Sequence, residues 1–281
     1  MKTGWITQSD TEYFGRLQDM NASYLAKIYN WQRFLEPSKS VMTKSIALLT
    51  GTAFHLAVLQ PEIFRKYVQI FKGKLNTKEG KKEYQDLQDL LATQPEAFII
   101  NHKDVSVALD MAEAVNNNSE AQEILRGCVN EQAGYRKLKF DTLDGITSPE
   151  FAKIKLDARK KGIIIDLKST TAKNRKEIQQ AVEDYHYDMK AAYYLNIANA
   201  IEQAAKSGIS YERFIWIFAT KTSPSECVIY EASDEDLQIG RQKYLNAYQI
   251  LKNYYETGKT DTVLDCPTWK TKKYDHYLKG M

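Results

Sequence analysis

Residues 154–171 read Ile154-Lys155-Leu156-Asp157-Ala158-Arg159-Lys160-Lys161-Gly162-Ile163-Ile164-Ile165-Asp166-Leu167-Lys168-Ser169-Thr170-Thr171, two carboxylates and a lysine set in a β-forming sequence. Ala152, Ile154 and Leu156 alternate with Lys153, Lys155 and Asp157, and Ile163 to Ile165 lead into Asp166. That pattern predicts two strands joined by a turn at Arg159-Lys160-Lys161-Gly162. If Ala158 pairs with Ile163, Asp157 lies opposite Ile164, and period-two geometry puts Asp157, Asp166 and Lys168 on one face. A one-residue slip would turn Asp157 away. Carboxylates in a sheet lose hydration and must recover it from a metal, a cation or hydrogen-bond donors.

Hard oxygen ligands suit Mg²⁺ or Mn²⁺, which binds one or two carboxylates and takes phosphate oxygens into its remaining sites. With Lys168 beside them to hold a water or stabilise an oxyanion, the acids suit phosphodiester hydrolysis. Alone, such a triplet is more often a solvated strand edge with a salt bridge than a catalytic set. A second element adds to it: Met42 to Glu62 reads as an apolar helix of small residues and Leu, with Thr43 or Ser45 near its start and Pro61 beyond its end. His55 is the strongly polar side chain of its second half, either a core histidine bonded to backbone or an imidazole ligand.

Gly51-Thr52-Ala53-Phe54-His55, Leu59-Gln60-Pro61-Glu62-Ile63-Phe64, Lys155-Leu156-Asp157-Ala158-Arg159 and Ile165-Asp166-Leu167-Lys168-Ser169-Thr170-Thr171 together resemble the nuclease domain of RecE-type exonucleases (exonuclease VIII). These belong to the PD-(D/E)xK superfamily, with the RecB nuclease domain and phage lambda exonuclease. The resemblance runs from about residue 13 to Cys266-Pro267-Thr268-Trp269. It implies a restriction-endonuclease-like core, a metal held by His55, Asp157, Asp166 and the backbone carbonyl of Leu167, and Lys168 as the catalytic lysine. The family also carries a glutamine followed four residues later by tyrosine on the next helix; here Tyr194 matches, but Lys190 stands at the glutamine position. A lysine there can meet a DNA phosphate but cannot accept a hydrogen bond. Tyr193 and Tyr194 read equally as core packing or as DNA contacts.

The chain of 281 residues, 43% hydrophobic, can bury one substantial core, and its net charge of +3 does not announce a nucleic-acid protein. The basic residues are nonetheless grouped around the strand pair, which makes Arg159, Lys160, Lys161, Thr170, Lys173 and Arg175 candidate DNA contacts beside Lys190 and Tyr194. Cys128, Cys227 and Cys266 are odd in number and widely spaced, which fits a reducing compartment and leaves one ligand too few for a four-cysteine iron–sulfur cluster. Met1 to Tyr13 is polar, unlike a signal peptide, and no apolar run approaches the roughly 18 residues of a membrane span. The expected location is the cytosol, or an infected host's cytosol if the chain is phage-derived.

Without repeats or a Pro/Gly-rich linker, residues 1–281 read as one domain: a mainly helical region over 1–130 that contributes His55, and a sheet core over 131–281. Helices are expected over Ser23–Leu35, Thr43–Leu59, Lys78–Thr93, His102–Asn116 and Ser119–Arg126, the last capped by Ser119. Gln132–Lys168 is β-rich, with a hairpin signal at Asp144-Gly145 and Tyr135, Leu138 and Phe140 facing inward. A helical stretch follows over Asn174–Lys206, interrupted near Tyr185. Phe214–Ala219 reads as a strand buried on both faces, paired with Glu226–Tyr230 across Ser223-Pro224, and a helix over Ser233–Glu256 follows. This order gives a mixed sheet flanked by helices, α/β or α+β.

The function expected from the resemblance is a Mg²⁺- or Mn²⁺-dependent exonuclease, with one or two ions. It would degrade linear double-stranded DNA from its ends, 5′→3′, and leave 3′ single-stranded overhangs for recombination. Family members form rings around DNA and work with a single-strand-annealing recombinase, so a homo-oligomeric ring is expected, and no membrane. An endonuclease of the same superfamily, or a non-catalytic DNA-binding scaffold with a decayed site, are the rival readings.

Overall fold

A computed structural model of the chain describes residues 2–29 and 45–259. Parts of two expected helices (residues 30–35 and 43–44) lie outside the described residues, as do Cys266 and the Cys266-Pro267-Thr268-Trp269 segment.

A six-stranded mixed sheet runs in the order β1-β4-β5-β6-β7-β8, formed by β1 (Gly4–Ile6), β4 (Val129–Lys137), β5 (Phe151–Lys160), β6 (Gly162–Thr170), β7 (Tyr211–Thr220) and β8 (Cys227–Glu231). All neighbours are antiparallel except β6 and β7, which are parallel and therefore need a crossover. Two helices make it: α8 (Arg175–Asp184) and α9 (Tyr187–Ala205). The break between them falls at Tyr185-His186, where His186 takes a left-handed φ of 53°. The remaining helices are α1 (Asp10–Gly15), α2 (Ala22–Ala26), α3 (Ile46–Leu59), α4 (Pro61–Tyr67), α5 (Lys78–Thr93), α6 (His102–Asn116), α7 (Ser119–Leu125) and α10 (Asp234–Thr257).

Each face of the sheet covers its own core. On one side Ile154, Leu156, Ile164, Phe214, Trp216 and Phe218 pack against α2, α9 and α10; on the other Ile165, Leu167, Ile215 and Ile217 pack against α3 and α6. β7 feeds both, which is why its apolar run is continuous rather than alternating. α10 approaches the first turn of α9 at Gly240, where any Cβ would stand 2.1 Å from the Asp188 carbonyl oxygen; only glycine fits that crossing.

The structure departs from the sequence reading in several places. Pro61 opens α4 instead of only ending α3, since proline suits a first helical turn. Asn118, not Ser119, caps α7, its Oδ1 accepting the Ala121 N–H at 2.9 Å. The N-terminal region also supplies β1 and a parallel pair, β2 (Val68–Phe71) with β3 (Phe98–Asn101), runs too short for periodicity to register. Asp144-Gly145 is a turn within the long loop between β4 and β5, not a tight hairpin; that loop is anchored where the Leu143 N–H donates to the Tyr255 carbonyl.

The β5–β6 register is offset by two residues from expectation: Ala158 pairs with Ile165, Arg159 with Ile164 and Lys160 with Ile163. The loop is only Lys161-Gly162, with Gly162 at φ 82°. An offset of two leaves the faces unchanged. Period-two alternation does not run through Asp157, however, because Leu156 joins one core and Ala158 the other. Opposite Asp157, between the pairs Asn130–Ala158 and Gln132–Leu156, stands Glu131 with a left-handed φ of 51°. A paired irregularity of this kind re-aims side chains next to functional sites.

Candidate metal centre

Paired bonds between β5 and β6 stop at Ala158–Ile165. Beyond that point the Asp157 carboxylate stands in for a ladder acceptor, taking the Leu167 N–H on Oδ2 at 2.7 Å. Helices reach the opening from either side. α3, started by Ser45 accepting the Leu48 N–H, crosses β6 at Gly51, where a Cβ would lie 3.7 Å from Ser169 Oγ. One turn on, His55 points its Nδ1 to within 3.5 Å of Asp157 Oδ2. From α9, Lys190 Nζ lies 2.7 Å from Asp166 Oδ1, while Lys168 is ion-paired with Asp166 Oδ2.

His55, Asp157, Asp166, Lys168 and Lys190 thus form one electrostatic group. Burial would raise the Asp166 carboxyl, but the Lys168 and Lys190 ammoniums outweigh it and hold it well below the usual carboxylate range. Burial likewise would lower Lys190, and the Asp166 charge reverses the sign. Burial lowers His55 and Lys168 in spite of the neighbouring acids. The Lys168 ammonium also donates to the Leu167 carbonyl at 3.3 Å and lies 5.2 Å from the Tyr187 ring centroid.

Glu131 was not singled out by the sequence. Its carboxylate, with ligand atoms of His55 and Asp157, forms a set lying within 4.8 Å of one another. An acid early in a strand was the only visible signal, and the left-handed backbone that aims it cannot be read from residue order. Lys155 Nζ stands 2.9 Å from Glu131 and also pairs with Asp10, so two acids, Asp10 and Glu131, share one ammonium, and the Asp157 charge acts on Glu131 from its other side. Burial, then the Asp157 charge, push Glu131 up to about 7 against the pull of Lys155.

A divalent cation fits this chemistry. The donor set is one imidazole and two carboxylates whose ligand atoms lie within 4.8 Å of one another.

The shift of Glu131 has a measurable consequence. Its folded pKa lies above the value of 4.5, so the folded state binds more protons between about pH 4.5 and 7, and stability falls as pH rises through that window, by about 3 kcal/mol at most. His55 and His186, lowered by burial, act in the opposite sense. Denaturant titrations of the metal-free protein at a series of pH values should show the decline reduced in Glu131→Gln relative to wild type. Identical pH profiles would contradict it.

The other expected contacts are placed variously. Lys161 is exposed at the hairpin tip, and Lys173 and Arg175 follow the far end of β6. Lys160 Nζ donates to the Glu123 carbonyl, and Thr170 Oγ1 accepts the Ala172 N–H. Arg159 is committed elsewhere: its guanidinium bonds Gln132 and Tyr211, lies 3.4 Å from Glu202 and stacks 4.1 Å from the Trp5 ring centroid. Tyr194 is buried against Phe214, with Lys190 over its ring. Cys128 and Cys227 are free thiols, and no helix among the described residues is long and apolar enough to cross a membrane.

Residues 14–262 match the model of a family described as a PDDEXK-like domain of unknown function, DUF3799. The chain belongs to that family. Its DUF3799 fold also superposes on the crystal structure of a candidate exonuclease from Eubacterium rectale, with a TM-score of 0.57 and 16% identity over 94% of this chain and 93% of that one. A second structure, SSO0001, overlaps with a TM-score of only 0.28 at 13% identity, over 80% of this chain and 85% of that one. No curated protein matches. The mixed sheet flanked by helices is therefore a PDDEXK-like fold, and the Asp157, Asp166, Lys168 set lies in its sheet.

Proposed function

We propose that this DUF3799 protein is a divalent-metal-dependent nuclease of the RecE type, an exonuclease acting on the ends of linear double-stranded DNA. The observation that carries the proposal is the meeting of His55, Glu131 and Asp157 beside the Asp166–Lys168 pair where β5 and β6 part. Mg²⁺ or Mn²⁺ held by these acids and His55 would supply water activation and charge neutralisation at a phosphate. Asp157, fixed by the Leu167 N–H, keeps its carboxylate aimed at His55. Lys168, 13% exposed, offers an ammonium to the oxygen on which negative charge gathers as the phosphodiester is attacked. Lys161 at one end of β6 and Lys173 and Arg175 at the other are the side chains we assign to DNA phosphates.

The fold shared with a candidate exonuclease agrees with action at ends. Polarity 5′→3′, 3′ overhangs passed to a single-strand-annealing recombinase, and a homo-oligomeric ring complete the reading. A net charge of +3 gives a monomer little hold on a polyanion, and a ring would supply that hold. The test compares end-labelled linear duplex with covalently closed circles in Mg²⁺ or Mn²⁺. Linear DNA should be degraded and circles survive. Cut circles would make the protein an endonuclease, and two intact substrates would leave a DNA-binding scaffold.

A further inference from the structure

Asp166 is 2% exposed, and its two oxygens have different neighbours. Oδ2 is ion-paired with Lys168, whereas Oδ1 accepts a hydrogen bond from Lys190 Nζ at 2.7 Å. Lys190 reaches that oxygen from a helix start that is itself anchored. It projects from the first turn of α9, whose neighbour Asp188 is tied to Lys243 of α10, and its ammonium lies 5.0 Å from the Tyr194 ring centroid. On the other side of the opening, His55, Glu131 and Asp157 bring ligand atoms within 4.8 Å of one another, enough for one ion.

Two-ion phosphoryl-transfer centres hold their cations about 3.5–4 Å apart, and a carboxylate joins them by giving one oxygen to each. We propose that this centre takes a single divalent ion, framed by His55, Glu131 and Asp157, and that the Lys190 ammonium stands at Asp166 Oδ1 where a second ion would have to bind. Charge agrees with the geometry. Asp166 already faces two ammoniums, so a second divalent ion there would meet like charge, while Asp157 and Glu131 flank His55 with only the Lys155 ammonium, itself shared with Asp10, paired to them through Glu131. The consequence for the reaction is that positive charge on this side comes from a fixed side chain and does not vary with metal concentration.

The inference rests on the metal-dependent reading above, and Mn²⁺ stoichiometry separates the two. Full-length protein would be titrated with Mn²⁺ by calorimetry, with free Mn²⁺ followed in parallel by electron paramagnetic resonance. Wild type and Lys190→Arg should each bind one Mn²⁺ per chain, and Lys190→Gln, which removes the ammonium, should bind two. Two ions in the wild type would overturn the inference and leave the nuclease reading standing. One ion in a folded Lys190→Gln would overturn the role given to Lys190. No binding by the wild type would remove both. If Lys190→Gln does not fold, the wild-type and Lys190→Arg stoichiometries still decide between one ion and two.

Discussion

Lys168→Ala is expected to slow DNA cleavage by about 10²- to 10³-fold, the usual loss when a positioned donor to a developing oxyanion is removed. Its fold should survive. Removing Lys168 leaves Asp166 paired with Lys190 at 2.7 Å, so no buried charge is stranded. Asp166→Ala is different: it also removes activity, but it leaves the Lys168 and Lys190 ammoniums without their counter-ion, at a cost of about 3 kcal/mol. The second lysine is what separates the two variants. The measurements are single-turnover cleavage of linear duplex at saturating Mg²⁺, with thermal unfolding of each variant. A rate loss confined to substrate affinity would make Lys168 a phosphate anchor instead. Undiminished cleavage by folded Lys168→Ala would overturn the role assigned to Lys168.

The strands and helices that could be read directly were those whose pattern is local. Lys78–Thr93 and His102–Asn116 were read with the bounds the structure gives, because caps at Thr77 and Asn101 and regular apolar spacing mark them. The β7 run was legible since burial on both faces removes alternation. His55, Asp157, Asp166 and Lys168 were found through an ordered resemblance spanning about a hundred residues, and the structure brings them into one group. What stayed hidden depended on tertiary placement. The β5–β6 register is set by a two-residue loop where four residues looked available. Glu131 reaches the group through a left-handed backbone, and Arg159 looked like a free cation until Gln132, Glu202, Tyr211 and Trp5 gathered round it. Composition records charge, not whether a fold has already neutralised it.

Asp188→Ala is expected to destabilise the protein by about 3–5 kcal/mol, the cost of breaking a buried ion pair from one side. Asp188 and Lys243 are 5% and 2% exposed, and Lys243 Nζ stands 2.5 Å from Asp188 Oδ2. Truncation would leave that ammonium buried at the junction of α9 and α10, where Gly240 already brings the two backbones close. Asp188 Oδ1 also accepts the Met189 N–H in the first turn of α9, so its charge supports the helix start as well. At this chain length the expected fall in melting temperature is on the order of 10 °C. The double variant Asp188→Leu/Lys243→Met should recover most of the loss, since apolar groups of similar volume can replace a buried pair. Because Lys190 follows Asp188 by two residues, looser docking of α9 should also weaken Mn²⁺ discrimination at Asp166. Chemical denaturation of both variants measures the energetic claim. A loss under 1 kcal/mol for Asp188→Ala would mean that water reaches Lys243 and that α9 is held by the Tyr193, Ile197 and Ile201 packing alone.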